Sequence, residues 1–369
     1  MSETPSKLQR EAARNIVTRY LKVRPGESTI IESWHHTLPM ASAMLDEVRC
    51  AGGKALLVYG DEDSWWRSID RKQVKLLGQS SEPEWAALKA TDVYVNFWGP
   101  SDTDRMEKLP DSADPAFDWL WPWYEVARKT GLRGVRMTTG FATARRARQW
   151  GLDLKHWEES ILRASLVDPE DLARIGSRLA KTFARGKEVR ITHPNGTDLK
   201  VALAGGAPQL QDGRPKPWSK GAPGSNMLTS MPAGSVAFHL DSRTADGSFH
   251  ANRRTNIWWN WHSGARLEFT GGKLASYSFR VGEEGFARQY QSASDGKDRT
   301  SLLSIGLNPA IGKDVPNLER QERGGVTLQI GGSRGLGGTN GSNFFTWFTL
   351  ADSEISVDGT PVIQGGKIL

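Results

Sequence analysis

Histidine is the side chain best suited to pass protons near neutral pH, and this chain has seven: His35, His36, His156, His193, His239, His250 and His262. None falls in an HExxH or His-x-His pattern, so the common zinc-binding spacings are missing. His239, His250 and His262 lie in neighbouring predicted strands, which leaves a three-histidine metal site to be tested against the fold. The same stretch carries Arg253, Arg254, Arg280, Glu283, Glu284, Arg288 and Tyr290. General acid–base work by His239, His250, Glu283 and Tyr290 would suit elimination, retro-aldol cleavage or isomerisation without a cofactor. His35 and His36 follow a predicted strand and precede a predicted helix. They therefore belong at the carboxyl end of a parallel sheet, where open α/β sheets bind ligands, and are further catalytic candidates. The single cysteine, Cys50, has no histidine near it in sequence and is a poor nucleophile candidate. The glycine-rich run 331–341 lacks the Lys-Ser or Lys-Thr ending of a phosphate loop and reads as a hairpin loop.

Fifteen tryptophans are more than packing ordinarily calls for. Several stand in runs: Trp65 and Trp66; Trp119, Trp121 and Trp123; Trp258, Trp259 and Trp261. They point to an aromatic-lined pocket for a planar phenolic or heteroaromatic molecule. The remaining composition, 38% hydrophobic and 24% charged, is that of an ordinary globular chain. The net charge of +6 is spread along the sequence, densest at Arg145, Arg146 and Arg148, and makes no basic footprint for nucleic acid. Apolar runs such as 55–59 and 93–98 fall far short of the roughly 20 residues of a membrane span. Residues 1–14 lack a secretory-signal pattern, and one cysteine allows no internal disulfide, so a cytoplasmic protein is expected.

The elements that must hold these groups change character along the chain. Helical spacing at 7–21 and 39–51 alternates with apolar runs at 28–34, 54–59, 92–98 and 133–138, which predicts a mostly parallel sheet covered by helices. Residues 60–66 read as a loop, and the Trp- and Pro-rich segment 101–123 as a surface insertion or lid. After a helical stretch at 168–185 the pattern turns to short alternating strands, with a hairpin signal at His193-Pro194-Asn195-Gly196. The boundary is placed near residue 186. This gives an α/β N-terminal domain over 1–185 and an α+β C-terminal domain, rich in antiparallel strands, over 186–369.

Five blocks of the second half occur in a familiar order: 189–199 around the Asn-Gly turn, Met231-Pro232-Ala233-Gly234-Ser235-Val236, Asp246-Gly247-Ser248, Gly306-Leu307-Asn308-Pro309, and 355–366 with Val357-Asp358-Gly359. Together they resemble the aminopeptidase T (thermophilic metallo-aminopeptidase) family and its relative, the iron-dependent 2,5-dihydroxypyridine dioxygenase. The resemblance implies that family's two-domain fold, a homodimer and a divalent metal. The implied ligand positions, however, fall on Ser235, Leu302, Leu328 or Gln329, and the pair Phe345 and Trp347. Leucine, phenylalanine and tryptophan donate nothing to a metal, so no metal or other cofactor is expected. Ser235 and Ser304 stand near these positions but have no assigned base. The preferred reading is a cofactor-independent lyase of aromatic-compound breakdown working in an inter-domain pocket. Trp258, Trp259, Trp261, Phe345 and Trp347, with Phe348 beside them, would form its wall; Arg253 and Arg280 would bind the substrate. Two other classes stay open: a metal-dependent aminopeptidase or ring-cleaving dioxygenase with relocated ligands, and a non-catalytic binding protein.

Overall fold

Residues 4–219, 226–257, 260–313 and 315–369 are described in the computed structural model; Trp258 and Trp259 lie outside them. The chain divides into two compact units, residues 1–166 with 213–232, and residues 167–212 with 233–369.

In the first unit each short run of β-branched and aromatic residues becomes a parallel strand. Ser28–Trp34, Lys54–Gly60, Val93–Phe97, Arg133–Met137 and Leu228–Met231 form a five-stranded sheet in the spatial order 54–60, 28–34, 93–97, 133–137, 228–231. Every neighbouring pair is parallel. Ile31, Val93, Val95, Phe97, Val135 and Met137 are fully buried, as central strands covered on both faces require. The strand order reverses between 28–34 and 93–97, so their carboxyl ends flank the crevice where such sheets bind ligands. The helix Leu38–Cys50 begins with a proline in its first turn, where the missing N–H costs nothing, and the chain turns away at Gly52 with φ +80°.

The second unit is built on strict alternation. An eight-stranded antiparallel sheet runs in the order 273–278, 266–270, 246–250, 197–202, 188–193, 354–357, 360–364, 367–368. The Asn-Gly turn makes the expected hairpin between Glu188–His193 and Thr197–Ala202, with Gly196 at φ +101°. A five-stranded antiparallel sheet runs in the order 345–350, 326–331, 300–306, 235–239, 209–211. One face of this sheet is apolar: Leu210, Val236, Phe238, Leu303, Ile305, Leu328, Ile330 and Phe348 alternate away from the other side. The helix Pro169–Arg185 covers it, with Phe183 stacked on Phe238 at 4.0 Å between ring centroids. A side chain in place of Gly176 would lie 2.3 Å from Leu210, so the helix approaches closely only because a glycine stands there.

This is the α/β plus α+β architecture predicted from the sequence, with three local differences. Residues 62–70 are helical rather than a loop: the Asp61 side chain caps the helix by accepting from the Ser64 N–H. The segment 101–123 does not stand clear of the core. It contains short helices, Met106, Ala113, Ala116 and Trp123 are buried, and Trp123 belongs to the cluster with Tyr94 and Leu132. Helices of one or two turns are too short to display a period, so such a stretch reads as a loop. Finally, the helix 169–185 groups with the second unit and the strand 228–231 with the first, whereas the boundary expected at 186 separates them the other way. No described helix is long and apolar enough to cross a membrane.

Candidate functional site

The second face of the five-stranded sheet is polar. Because side chains alternate along a strand, Gln209 and Gln211, Ser235 and Ala237, Leu302 and Ser304, Thr327 and Gln329, and Trp347 all point the same way. They line a shallow depression with about 10 Å³ of cavity space, completed by Arg320 and Leu336. Three of these side chains are fixed by neighbours. Thr327 Oγ1 and Thr349 Oγ1 are 2.9 Å apart, Gln329 donates from Nε2 to the Gly332 carbonyl at 2.8 Å, and Phe345 and Trp347 stack at 6.1 Å with 21° between planes. Trp347 has a second task. Its Nε1–H points to Glu319 Oε1 at 3.4 Å, while the Arg320 guanidinium carbon lies over its ring, 4.6 Å from the centroid.

Two charged groups flank that indole in contrasting states. Burial raises the Glu319 carboxyl to about 7, only partly offset by its hydrogen bonds and by Arg320. Burial also lowers the pKa of Arg320, opposed by the Glu319 charge. Glu319 opens onto a second depression, with about 10 Å³ of cavity space, which includes Arg253, Arg254 and Glu322. There Arg253 and Glu322 form a two-pronged ion pair with both contacts at 2.7 Å.

His239 ends the strand that carries Ser235 and Ala237 and shares their face. Its Nε2 is 3.1 Å from Gln209 Nε2; the amide donates, the ring nitrogen accepts, and the ring proton belongs on Nδ1. Burial lowers its pKa, so the imidazole is neutral at neutral pH.

The other expected catalytic residues are placed elsewhere. His250 lies in the eight-stranded sheet; its Nδ1 donates to the Asn195 carbonyl at 2.8 Å, and its Nε2 is 3.5 Å from Glu268. Glu283 opens a helix and accepts from the Phe279 N–H at 2.9 Å. Tyr290 packs among Tyr277, Phe286 and Phe344, with Lys297 over its ring. His262 is buried against Phe279 and Phe348, and desolvation takes its pKa down to about 4. In the first unit His35 is exposed, and His36 donates from Nε2 to the Gly140 carbonyl at 3.1 Å while its buried Nδ1 has no partner. Both follow the first strand at the carboxyl end of the parallel sheet, as their sequence position suggests.

Of the expected binding residues, Phe345 and Trp347 share the polar face, Arg253 is held by Glu322, and Arg280 is exposed. Arg254 lies over the Trp261 ring at 5.4 Å; Trp258 and Trp259 lie outside the described residues. Phe348 faces the apolar side instead of joining the wall, because it is one residue out of phase with Trp347. The run 331–335 spells Gly-x-Ser-x-Gly, but Ser333 leads into a 3-10 turn rather than an α-helix and is buried, its Oγ accepting from the Asn340 N–H, so the context is not that of an exposed nucleophile.

The structure is similar to wild-type AmpT from Thermus thermophilus, with a TM-score of 0.74 and 16% identity, covering 98% of this chain and 99% of that one. It has the aminopeptidase T fold. It is also similar to 2,5-dihydroxypyridine dioxygenase from Pseudomonas putida KT2440, with a TM-score of 0.62 and 13% identity over 100% of this chain and 98% of that one. No family model and no curated protein matches the sequence.

The metal that the resemblance implies can be tested against the donors present. Ser235, Leu302, Gln329 and Trp347 line one depression, with Phe345 stacked beside Trp347. They bring one hydroxyl and one carboxamide, and a guanidinium shares the space. Among the described residues no group of three or more His, Cys, Asp or Glu side chains is arranged to hold a metal ion, and His239, His250 and His262 make no such group. This donor set does not fit a divalent cation. Sequence reasoning missed Arg320 and Glu319, which sit in the irregular stretch between the strands 300–306 and 326–331. Their only signal is a pair of charges with no period to say which way they face.

Proposed function

We propose that the protein is an enzyme acting on a planar aromatic small molecule in the depression on the polar face of the five-stranded sheet, with His239 as its acid–base group. The observation that carries this reading is the composition of the lining: an indole wall and hydrogen-bonding side chains where the resemblance puts metal ligands. A flat ring against Trp347 gains stacking worth about 0.5–1.5 kcal/mol beyond the area it buries. A neutral, half-buried imidazole is in the right state to take a proton from substrate and return it later, as elimination or retro-aldol cleavage requires. The fold shared with AmpT and with a dioxygenase favours a second reading, a metal-dependent enzyme whose ligands lie elsewhere in the chain.

Two measurements separate them. Calorimetric titration with a panel of phenolic and heteroaromatic compounds should give saturable binding that Trp347→Ala weakens roughly tenfold. For a compound that is turned over, His239→Ala should abolish turnover and retain binding. Stoichiometric metal in protein purified without a chelating tag, with activity lost to EDTA, would instead establish the metal-dependent reading.

A further inference from the structure

The Arg320 guanidinium has no hydrogen bond or ion pair among the described residues, and its Nε is buried without an acceptor. Its neighbours are the face of Trp347 and the Glu319 carboxyl, whose Oε1 is turned to the indole N–H and whose Oε2 has no partner. Arginine stays charged in proteins and carries five donors in a planar fork, so leaving its buried Nε–H without an acceptor beside a partly enclosed space is costly. The same unit shows what a satisfied arginine looks like: Arg253, of which the side chain is 10% exposed, meets Glu322 with two contacts of 2.7 Å.

Everything else lining the Arg320 depression is neutral. The carboxamides of Gln209, Gln211 and Gln329 and the hydroxyls of Ser235, Ser304 and Thr327 contribute no carboxylate. Ser304 Oγ is itself buried with no partner, a second donor facing the same space. A positive charge with neutral donors around it, only partly offset by the half-protonated Glu319 beside it, leaves a place for one further negative charge. A planar fork matches a planar two-oxygen acceptor better than a tetrahedral dianion.

We infer that Arg320 is the recognition residue of this site and that its ligand is an aromatic or heteroaromatic carboxylate, the carboxylate on Arg320 and Ser304 and the ring against Trp347. The inference rests on the reading of this depression as the substrate site and adds the charge of the substrate. A side chain of the protein supplies the positive charge there; a bound ion is not needed for it.

The test uses three probes with one ring, benzoate, benzamide and benzyl alcohol, titrated calorimetrically into the full-length protein at millimolar concentration. Benzoate should bind at least about tenfold more tightly than benzamide or benzyl alcohol. Arg320→Gln should remove that preference, and Arg320→Lys should restore part of it. Equal affinity for benzoate and benzamide in the unmodified protein overturns the inference but not the site. Benzoate binding that survives Arg320→Gln does the same. Absence of binding by all three probes overturns the reading of the depression as an aromatic site, and the inference with it. Should Arg320→Gln fail to fold, the benzoate-to-benzamide ratio in the unmodified protein still decides.

Discussion

Glu319 is a carboxyl group that the fold keeps close to half-protonated at neutral pH. It titrates at about 7 in the folded protein against 4.5 for a free glutamate, because burial disfavours its charge. Between those values the folded chain holds a proton that the unfolded chain has released. Stability is therefore fullest below about 4.5 and declines as pH rises through about 7, by on the order of 3 kcal/mol for this group. Glu319→Gln should flatten that decline, read from urea unfolding at about pH 5 and about pH 8; an unchanged slope in the variant would remove the assignment. Neither Glu319 nor Arg320 was legible beforehand, since both sit where the chain has no period. Ser235, Leu302, Phe345 and Trp347, with Leu328 or Gln329, were legible only through the resemblance, which puts ligand positions on them; the strand register then turns Gln329 rather than Leu328 to their face. His250 and Glu283 have the right chemistry for catalysis, but a sequence does not reveal that each is occupied with a backbone group of its own neighbourhood.

Among the elements, the helix Pro169–Arg185 shows how much a complete set of local signals conveys. Asp168 caps it, Pro169 opens it, Glu170 and Asp171 face its positive end, and the stripe Leu172, Ile175, Leu179, Phe183 is buried. Phe183→Ala would remove the ring stacked on Phe238 and should cost about 3–5 kcal/mol in thermal or urea unfolding. Lys181→Ala, on the exposed side, serves as the control, and a loss for Phe183→Ala no larger than the control's would show that the helix does not anchor the sheet. The helix 62–70 was legible in principle, since Asp61 and Ser64 carry a capping signal, but the acidic run 61–63 followed by Trp65 and Trp66 masks it. The fold class came through because the first half alternates helix and strand and the second half alternates residue by residue, and those periods survive any substitution that keeps polarity.

At the scale of the whole molecule, the chain leaves its first unit at 166 and returns to it from 213 to 232. The return supplies the strand Leu228–Met231, which pairs with Arg133–Met137, and Thr229 ties it to the Gly213 carbonyl at 2.8 Å. No composition shift marks such a return, so a sequence read from end to end yields one boundary where the fold has three crossings. A chain ending at 185 should therefore be poorly soluble. One in which residues 1–166 run through a short Gly/Ser linker into 213–232 should be soluble and folded by circular dichroism. A well-folded 1–185 fragment would count against the unit division. The returning strand also sets a clock. During synthesis the outer edge of Arg133–Met137 has no partner until the stretch from 138 to 227 has been made, roughly 5 to 20 seconds at ordinary translation rates. For that interval a nascent chain presents an open, apolar sheet edge to whatever is nearby, which makes it a client for chaperones and gives translation speed a direct hold on yield.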